Sequence, residues 1–130
     1  MESIFTKIVK REIPAHIIAE TETCLAFLDV FPLREGHVLI IPKKQVDYIF
    51  DVDDSSLQEL ILFSKKIAKA IEKAIPCKRI GVAVIGLEVP HAHIHLVPLE
   101  SVSDINFAQP KLKISQEKLA SIASSIKSFL

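Results

Sequence analysis

GLEVPHAHIHLVPL, residues 86–99, carries three of the chain's five histidines at two-residue spacing, with Ala92, Ile94 and Leu96 between them. In an extended strand, residues two apart point to one side. The alternation therefore predicts a strand over 91–99 with His91, His93 and His95 on one face and the apolar trio on the other. Neighbouring histidine Cα atoms would stand ~6.5–7 Å apart, and the outer two ~13 Å apart. Imidazole costs free energy when buried without a partner, so such a row needs a reason.

Four readings of the row compete. It can be a polar, solvated sheet face. It can hold a metal through a His-x-His pair, although a zinc–nitrogen distance of ~2.1 Å makes one ion hard to share between the outer two histidines. Glu88 is the one carboxylate nearby. It can carry out nucleophilic catalysis at phosphorus, where one neutral imidazole attacks and its neighbours donate hydrogen bonds or protons. Imidazole titrates near ~6.5 and crowding opposes charging all three, so the roles can divide. Last, the same pocket can bind a nucleotide without turning it over.

The remainder of the chain bounds these choices. At 130 residues with 49% apolar composition, one domain with one sizeable core is expected over 1–130. Sixteen basic and sixteen acidic side chains cancel, so no global field favours nucleic acid or an anionic membrane. The Lys43-Lys44 pair reads as a solvated strand end. Cys24 and Cys77 lack metal-ligand spacing and read as small buried hydrophobes of a reducing compartment. The first residues, MESIFTKIVKREIP, mix charge with hydrophobe, unlike a secretory signal, and no apolar run approaches the ~20 residues of a membrane span. A cytoplasmic location is the expectation.

Working outward, SIFTKIVKR (3–11) predicts a short amphipathic helix ended by Pro14. AHIIAE (15–20) and CLAFLDV (24–30) predict a hairpin closed by Thr21-Glu22-Thr23. FPLREG (31–36) reads as a loop, and HVLIIP (37–42) as a central strand covered on both sides. Helix-start residues at Asp51–Ser55 precede the stripe Leu57, Leu60, Ile61, Ser64, Ile67, Ala68, Ile71, Ala74 and Ile75, predicting a long helix over about 54–75 before Pro76. RIGVAVIG (79–86) reads as a strand, LEVP (87–90) as a tight connection to 91–99, and SQEKLASIASSIKSFL as a C-terminal helix. Without regular βαβ alternation, the class is α+β with a mostly antiparallel sheet.

HAHIHLV matches the His-φ-His-φ-His-φ-φ signature, and the chain resembles the histidine-triad (HIT) superfamily in its nucleotide-binding, phosphoramidase-like branch. IFTKIVKREIPAHIIAE, CLAFLDVFPLREGHVLIIPKK and GLEVPHAHIHLVPL are similar to successive blocks of that branch, up to about residue 99. The resemblance implies a half-barrel-like five-stranded sheet with flanking helices, a homodimer, and hydrolysis of purine nucleotide conjugates at the α-phosphorus without cofactor or metal. It implies that His93 is the nucleophile, that His95 contacts phosphate oxygens, and that His91 orients the triad and supports departure of the leaving group. His37 matches a fourth histidine beside the triad; read alone, it is equally a core histidine.

The same resemblance puts Asp29 on the ribose, where a carboxylate can accept from both hydroxyls; read alone, it is a strand-end acid. Ile4, Phe5, Ile8, Phe27 and Val30 match the apolar walls around the base, though singly they are ordinary core residues. Gly86, Leu87, Glu88 and Val89 form the loop whose N–H groups can meet phosphate. Two positions depart from the pattern. Leu87 stands where many relatives have Gln, and Glu88 where many have a serine that assists the leaving group. Leucine cannot donate a hydrogen bond, and a carboxylate repels phosphate unless it points away.

Overall fold

The computed structural model describes residues 1–130. Five strands form one antiparallel sheet: β1 (Ile17–Glu20), β2 (Cys24–Leu28), β3 (Val38–Pro42), β4 (Arg79–Ala83) and β5 (Ile94–Leu99). Their order is β1-β2-β3-β5-β4, so β5 lies between β3 and β4, and β4 is an open edge. Three α-helices flank the sheet: α1 (Ile4–Val9), α2 (Asp54–Ala74) and α3 (Gln116–Lys127). The α+β class and the antiparallel five-stranded sheet are as the sequence predicts. No helix is long and apolar enough to cross a membrane.

Local chemistry accounts for most boundaries. Asp53 caps α2 by accepting from the Ser56 N–H at 3.1 Å, Lys73 lies in the last turn, and Pro76 follows two residues after the end. The buried stripe of α2 is Leu60, Phe63, Ser64, Ile67, Ala70 and Ile71. Ser64 is accommodated because its hydroxyl donates to the Leu60 carbonyl at 2.8 Å. Ile61 is a correction: it sits at the edge of the stripe and is 51% exposed. Ser115 caps α3, which buries Leu119, Ile122, Ala123 and Ile126.

The sheet has two dissimilar faces. Cys24, Ala26 and Leu28 of β2, Val38 and Ile40 of β3, and Ile94 and Leu96 of β5 point towards α2 and α3 in a cluster of 20 buried residues. Leu25, Phe27, Leu39 and Ile41 point the other way and meet Phe5 and Ile8 of α1 in a cluster of six. Strand β3 is buried at every position, as expected of a strand covered on both sides. Cys24 is buried, whereas Cys77 is only half-buried, short of the expectation for both.

The strand limits are narrower than the alternation predicts. β4 ends at Ala83, paired with His95, one residue short of the start of β5. β5 starts at Ile94, so His91 and His93 precede the strand. The reason lies in the main chain: the His91 N–H bonds the Val89 carbonyl at 2.8 Å and the Ala92 N–H bonds the Val46 carbonyl at 2.7 Å, neither of them a sheet rung. Gly36, at φ +92°, makes the turn into His37, and a Cβ there would come within 2.9 Å of Ile75 Cγ1.

Candidate active site

Four histidines collect on the α1 side of the sheet. His95 stands on β5 opposite Leu39, and His37 enters β3 two residues earlier. His91 and His93 keep to the same side from the segment before β5, while Ala92, Ile94 and Leu96 all lie in the opposite core. The face-sharing survives although the pleated strand covers only the last histidine. Phe5 of α1 sits edge-on to His91 and His93, with ring centroids 5.8 and 5.0 Å away, and His93 and His95 are 4.9 Å apart.

All four rings are buried, and burial holds each below the usual imidazole pKa. His37 is pushed down to about 3 by burial, then by the nearby His95 and Lys111. His95 is pushed down to about 4 by burial, then by His93 and Lys111. Burial lowers His91 and His93 as well, opposed by the carbonyls they face and, for His93, by Glu88. Neutral rings have one proton and one lone pair each, so every hydrogen bond fixes a tautomer.

Following those bonds assigns each ring nitrogen. The Leu33 main-chain N–H donates to His37 Nδ1 at 3.0 Å, so the proton of His37 is on Nε2 and is donated to His95 Nδ1 at 2.9 Å. His95 must then keep its own proton on Nε2. His93 donates its Nδ1–H to the His91 carbonyl at 2.7 Å, which leaves a lone pair on Nε2. His91 donates Nε2–H to the Pro42 carbonyl at 2.7 Å and accepts at Nδ1 from the Ser3 hydroxyl at 2.7 Å.

No fully buried side-chain nitrogen or oxygen is without a partner. Nε2 of His93 and Nε2 of His95 make no bond within the protein, so both reach solvent. The nest thus opens one lone pair and one N–H donor, on adjacent rings. His91 is 0% exposed, and both of its ring nitrogens are engaged within the protein.

The other sequence-selected residues divide. Phe5, Ile8 and Phe27 are buried beside the nest, whereas Ile4 and Val30 are exposed and Val30 lines the separate cleft beside Phe31. Asp29 is half-buried; its Oδ1 accepts from the Phe31 N–H at 2.9 Å and its Oδ2 lies 3.7 Å from His37 Nε2. Burial raises its pKa, against the pull of that amide and of Lys111. In the 86–89 loop, Gly86 has φ +76°. The N–H groups of Gly86, Leu87, Glu88 and Val89 bond nothing within the protein, and the Leu87 side chain is 87% exposed. A groove of about 460 Å³ lined by His93, Gly86, Val84, Ile85, Tyr48 and Phe50 runs alongside. A larger cleft between His16, Phe31 and Leu112 contains none of the triad.

Asp29, His37 and His95 bring one donor atom each within 4.8 Å of one another. A cation there would have to strip the proton from His37 Nε2. The ring would then carry it on Nδ1, facing the Leu33 N–H. A metal there would therefore compete with the proton order from Leu33 through His37 to His95.

Sequence reading missed two residues. Phe107 follows a 3-10 turn (Val102–Ile105) held by Ser101 and Asp104, and its ring packs edge-on against His95 at 4.6 Å. Nothing in its loosely patterned segment signalled this contact. Ser3 is recognisable in sequence as a helix cap, but its bond to His91 spans 88 residues.

Comparison with known proteins bears on this site. The HIT domain profile matches residues 10–102. The chain is 34% identical over 131 residues to the Schizosaccharomyces pombe protein named adenosine 5'-monophosphoramidase hnt1, spanning 98% of each chain. It is 38% identical over 96 residues to Saccharomyces cerevisiae adenosine 5'-monophosphoramidase HNT1, spanning 73% of this chain and 61% of that one. Among solved structures, a Bartonella henselae HIT-like protein described as involved in cell-cycle regulation matches with TM-score 0.87 at 31% identity, covering 99% of this chain and 96% of the other.

Proposed function

The chain belongs to the HIT domain family, and from that premise we propose that it is a single-domain nucleotidyl hydrolase acting on purine nucleoside phosphoramidates or related conjugates at the α-phosphorus. The observation that carries this reading is the pairing of an unprotonated His93 Nε2 with a protonated His95 Nε2, both open to solvent. A nucleophile needs the lone pair, and a phosphoryl oxygen gaining charge needs the donor.

In the proposed reaction, His93 Nε2 attacks phosphorus, the bond to the leaving nitrogen breaks, and the amine departs with a proton from solvent. The His93 Nδ1–H stays on the His91 carbonyl throughout, which spreads the positive charge that develops on the ring. Water then attacks the nucleotidyl-histidine and gives up a proton to solvent, the P–Nε2 bond breaks to return the lone pair to His93, and a nucleoside monophosphate leaves. His95 Nε2–H and the unbonded amides of residues 86–89 hold the phosphoryl oxygens. Asp29 takes the ribose hydroxyls, and Phe5, Ile8 and Phe27, with the more exposed Ile4 and Val30, wall the base.

Rapid mixing with adenosine 5'-phosphoramidate, read by intact mass, should show an adenylylated protein that forms and decays, and peptide mapping should place the adduct on His93. Turnover should persist in chelator. An active protein that never carries the adduct overturns the covalent route, and loss of turnover in chelator overturns metal independence. Exposed Leu87 and Glu88, which offer no side-chain donor to the leaving group, favour a second reading. In it the pocket binds nucleotide with little turnover, and a stable adduct or none at all would mark that case.

A cytoplasmic homodimer belongs to the same proposal. Its support is the open edge of β4 with Val82, Val84 and Ile85 62%, 40% and 50% exposed, sharing a groove with Tyr48, Phe50 and Ile61. Unpaired edges and contiguous apolar patches of this kind invite a second strand. Val84→Glu should convert the dimer to a monomer in sedimentation, and a wild-type protein that sediments as a monomer would remove the claim.

A further inference from the structure

Resting on the nucleophilic role of His93, we infer that Ser3 is a positioning residue for the reaction, setting the protonation pattern of His91 and through it that of His93. Ser3 is 4% exposed, and besides a long 3.3 Å contact with Thr6 Oγ1 its hydroxyl has two close partners. It accepts from the Thr6 N–H at 3.0 Å, which caps α1, and donates to His91 Nδ1 at 2.7 Å. The other nearby hydroxyl, Thr6 Oγ1, is 3.4 Å from the same nitrogen and donates instead to Gln45 Oε1 at 2.8 Å. The Ser3 N–H donates to that same Oε1 at 2.7 Å, so the hydroxyl is held from its own main chain as well.

The consequence passes through His91. The Pro42 carbonyl requires a proton on His91 Nε2, so Nδ1 is an acceptor and needs a donor. Ser3 supplies it. Ring and main chain of His91 are then fixed together, and its carbonyl lies where it can take the His93 Nδ1–H at 2.7 Å. That bond is what leaves the lone pair of His93 on Nε2. Without the Ser3 proton, Nδ1 of a 0% exposed ring keeps only the Thr6 hydroxyl, 3.4 Å away and committed to Gln45, and the ring can regain a full bond only by turning or by taking up a proton. Either change moves the carbonyl that holds His93. Ser3 touches no substrate, and it also fastens the helix whose Phe5 packs against both rings.

The test combines steady-state kinetics on adenosine 5'-phosphoramidate with 15N spectra of histidine-labelled, substrate-free protein, which report tautomers directly. Ser3→Ala should lower kcat about tenfold, the size of one lost hydrogen bond, with KM within about twofold. The His93 ring should change from one tautomer to a mixture. Ser3→Thr should restore both readouts. Ser3→Asp keeps an acceptor for the α1 cap but has no proton to give, so thermal stability should hold while kcat stays low and His91 Nδ1 becomes protonated.

Wild-type kcat and unchanged tautomers in Ser3→Ala would overturn the inference, as would full recovery of kcat in Ser3→Asp. If the wild-type protein turns over no nucleotide conjugate, the proposed function fails instead. The spectra then still decide whether Ser3 sets the two rings.

Discussion

The two faces of the sheet are built on opposite terms. Towards α2 and α3 lies a cluster of 20 buried apolar residues, most of them aliphatic, with Ser64 of α2 satisfied within its own helix. Towards α1 the apolar cluster has only six buried residues, and beside them sit Ser3, His37, His91, His93 and His95, all below a tenth exposed. The first face stabilises through removal of apolar surface from water, which is non-directional and tolerant of exchange. The second is held by hydrogen bonds that each need one partner on one atom, and a partner removed there leaves a desolvated group behind. A single strand serves both: in β3, Ile40 packs into the large core while its neighbour Leu39 flanks the histidines.

If that division holds, substitutions on one face should leave the other's property intact. The largest effect is expected from His93→Asn, which should reduce turnover by about 10³-fold or more because a whole reaction channel is lost. Its urea midpoint and its affinity for a purine monophosphate should stay near wild type. Residual turnover near wild type would take His93 out of the chemistry. Next is Ile40→Ala on the opposite face, which should cost about 2–5 kcal/mol of stability in urea unfolding. Its kcat, measured where the variant is folded, should not change, and a parallel loss of kcat would dissolve the contrast.

Two smaller effects sharpen the second face. Asp29→Ala should weaken binding of a ribonucleotide by about tenfold, the worth of a charged hydrogen bond. Calorimetry with the 2'-deoxy analogue should give a smaller loss, and equal losses would remove Asp29 from the ribose. The last concerns acid. His37 and His95 bind protons less readily folded, at about 3 and about 4, than at the usual 6.5 of an unfolded chain. The unfolded state therefore takes up more protons as pH falls below 6.5, so their contribution is complete above that value and is lost towards pH 4. Urea midpoints at pH 7, 5.5 and 4.5 should decline in that order. Ile40→Ala should show the same slope from a lower start, since it does not touch the histidines.

The sequence is most readable where one residue's chemistry decides the outcome locally. Asp53, Lys73 and Pro76 delimit α2 to within a residue or so of the prediction, and the Thr21–Thr23 turn joins β1 to β2 as expected. The division of His91, His93 and His95 from Ala92, Ile94 and Leu96 was legible as well, because alternation survives in extended chain outside a strand. The late start of β5 was not. It depends on Val89 offering its carbonyl to His91 in a tight local turn and on Val46, from a distant segment, offering its own to Ala92. Nor could β5 be placed between β3 and β4, since that order is fixed by packing across the sheet. Of the site, the histidines and Asp29 were visible by type and spacing. Phe107 and the second partner of Ser3 were invisible because each contact joins residues with no local pattern to announce them.

One donor in the nest belongs to no side chain. The proton order running from His37 into His95 starts at the main-chain N–H of Leu33, so it is inherited from the path of the chain rather than from the identity of residue 33. Exchange of that leucine for another residue with a main-chain amide preserves the instruction. Only proline erases it, a lesion that alanine scanning would pass over in silence.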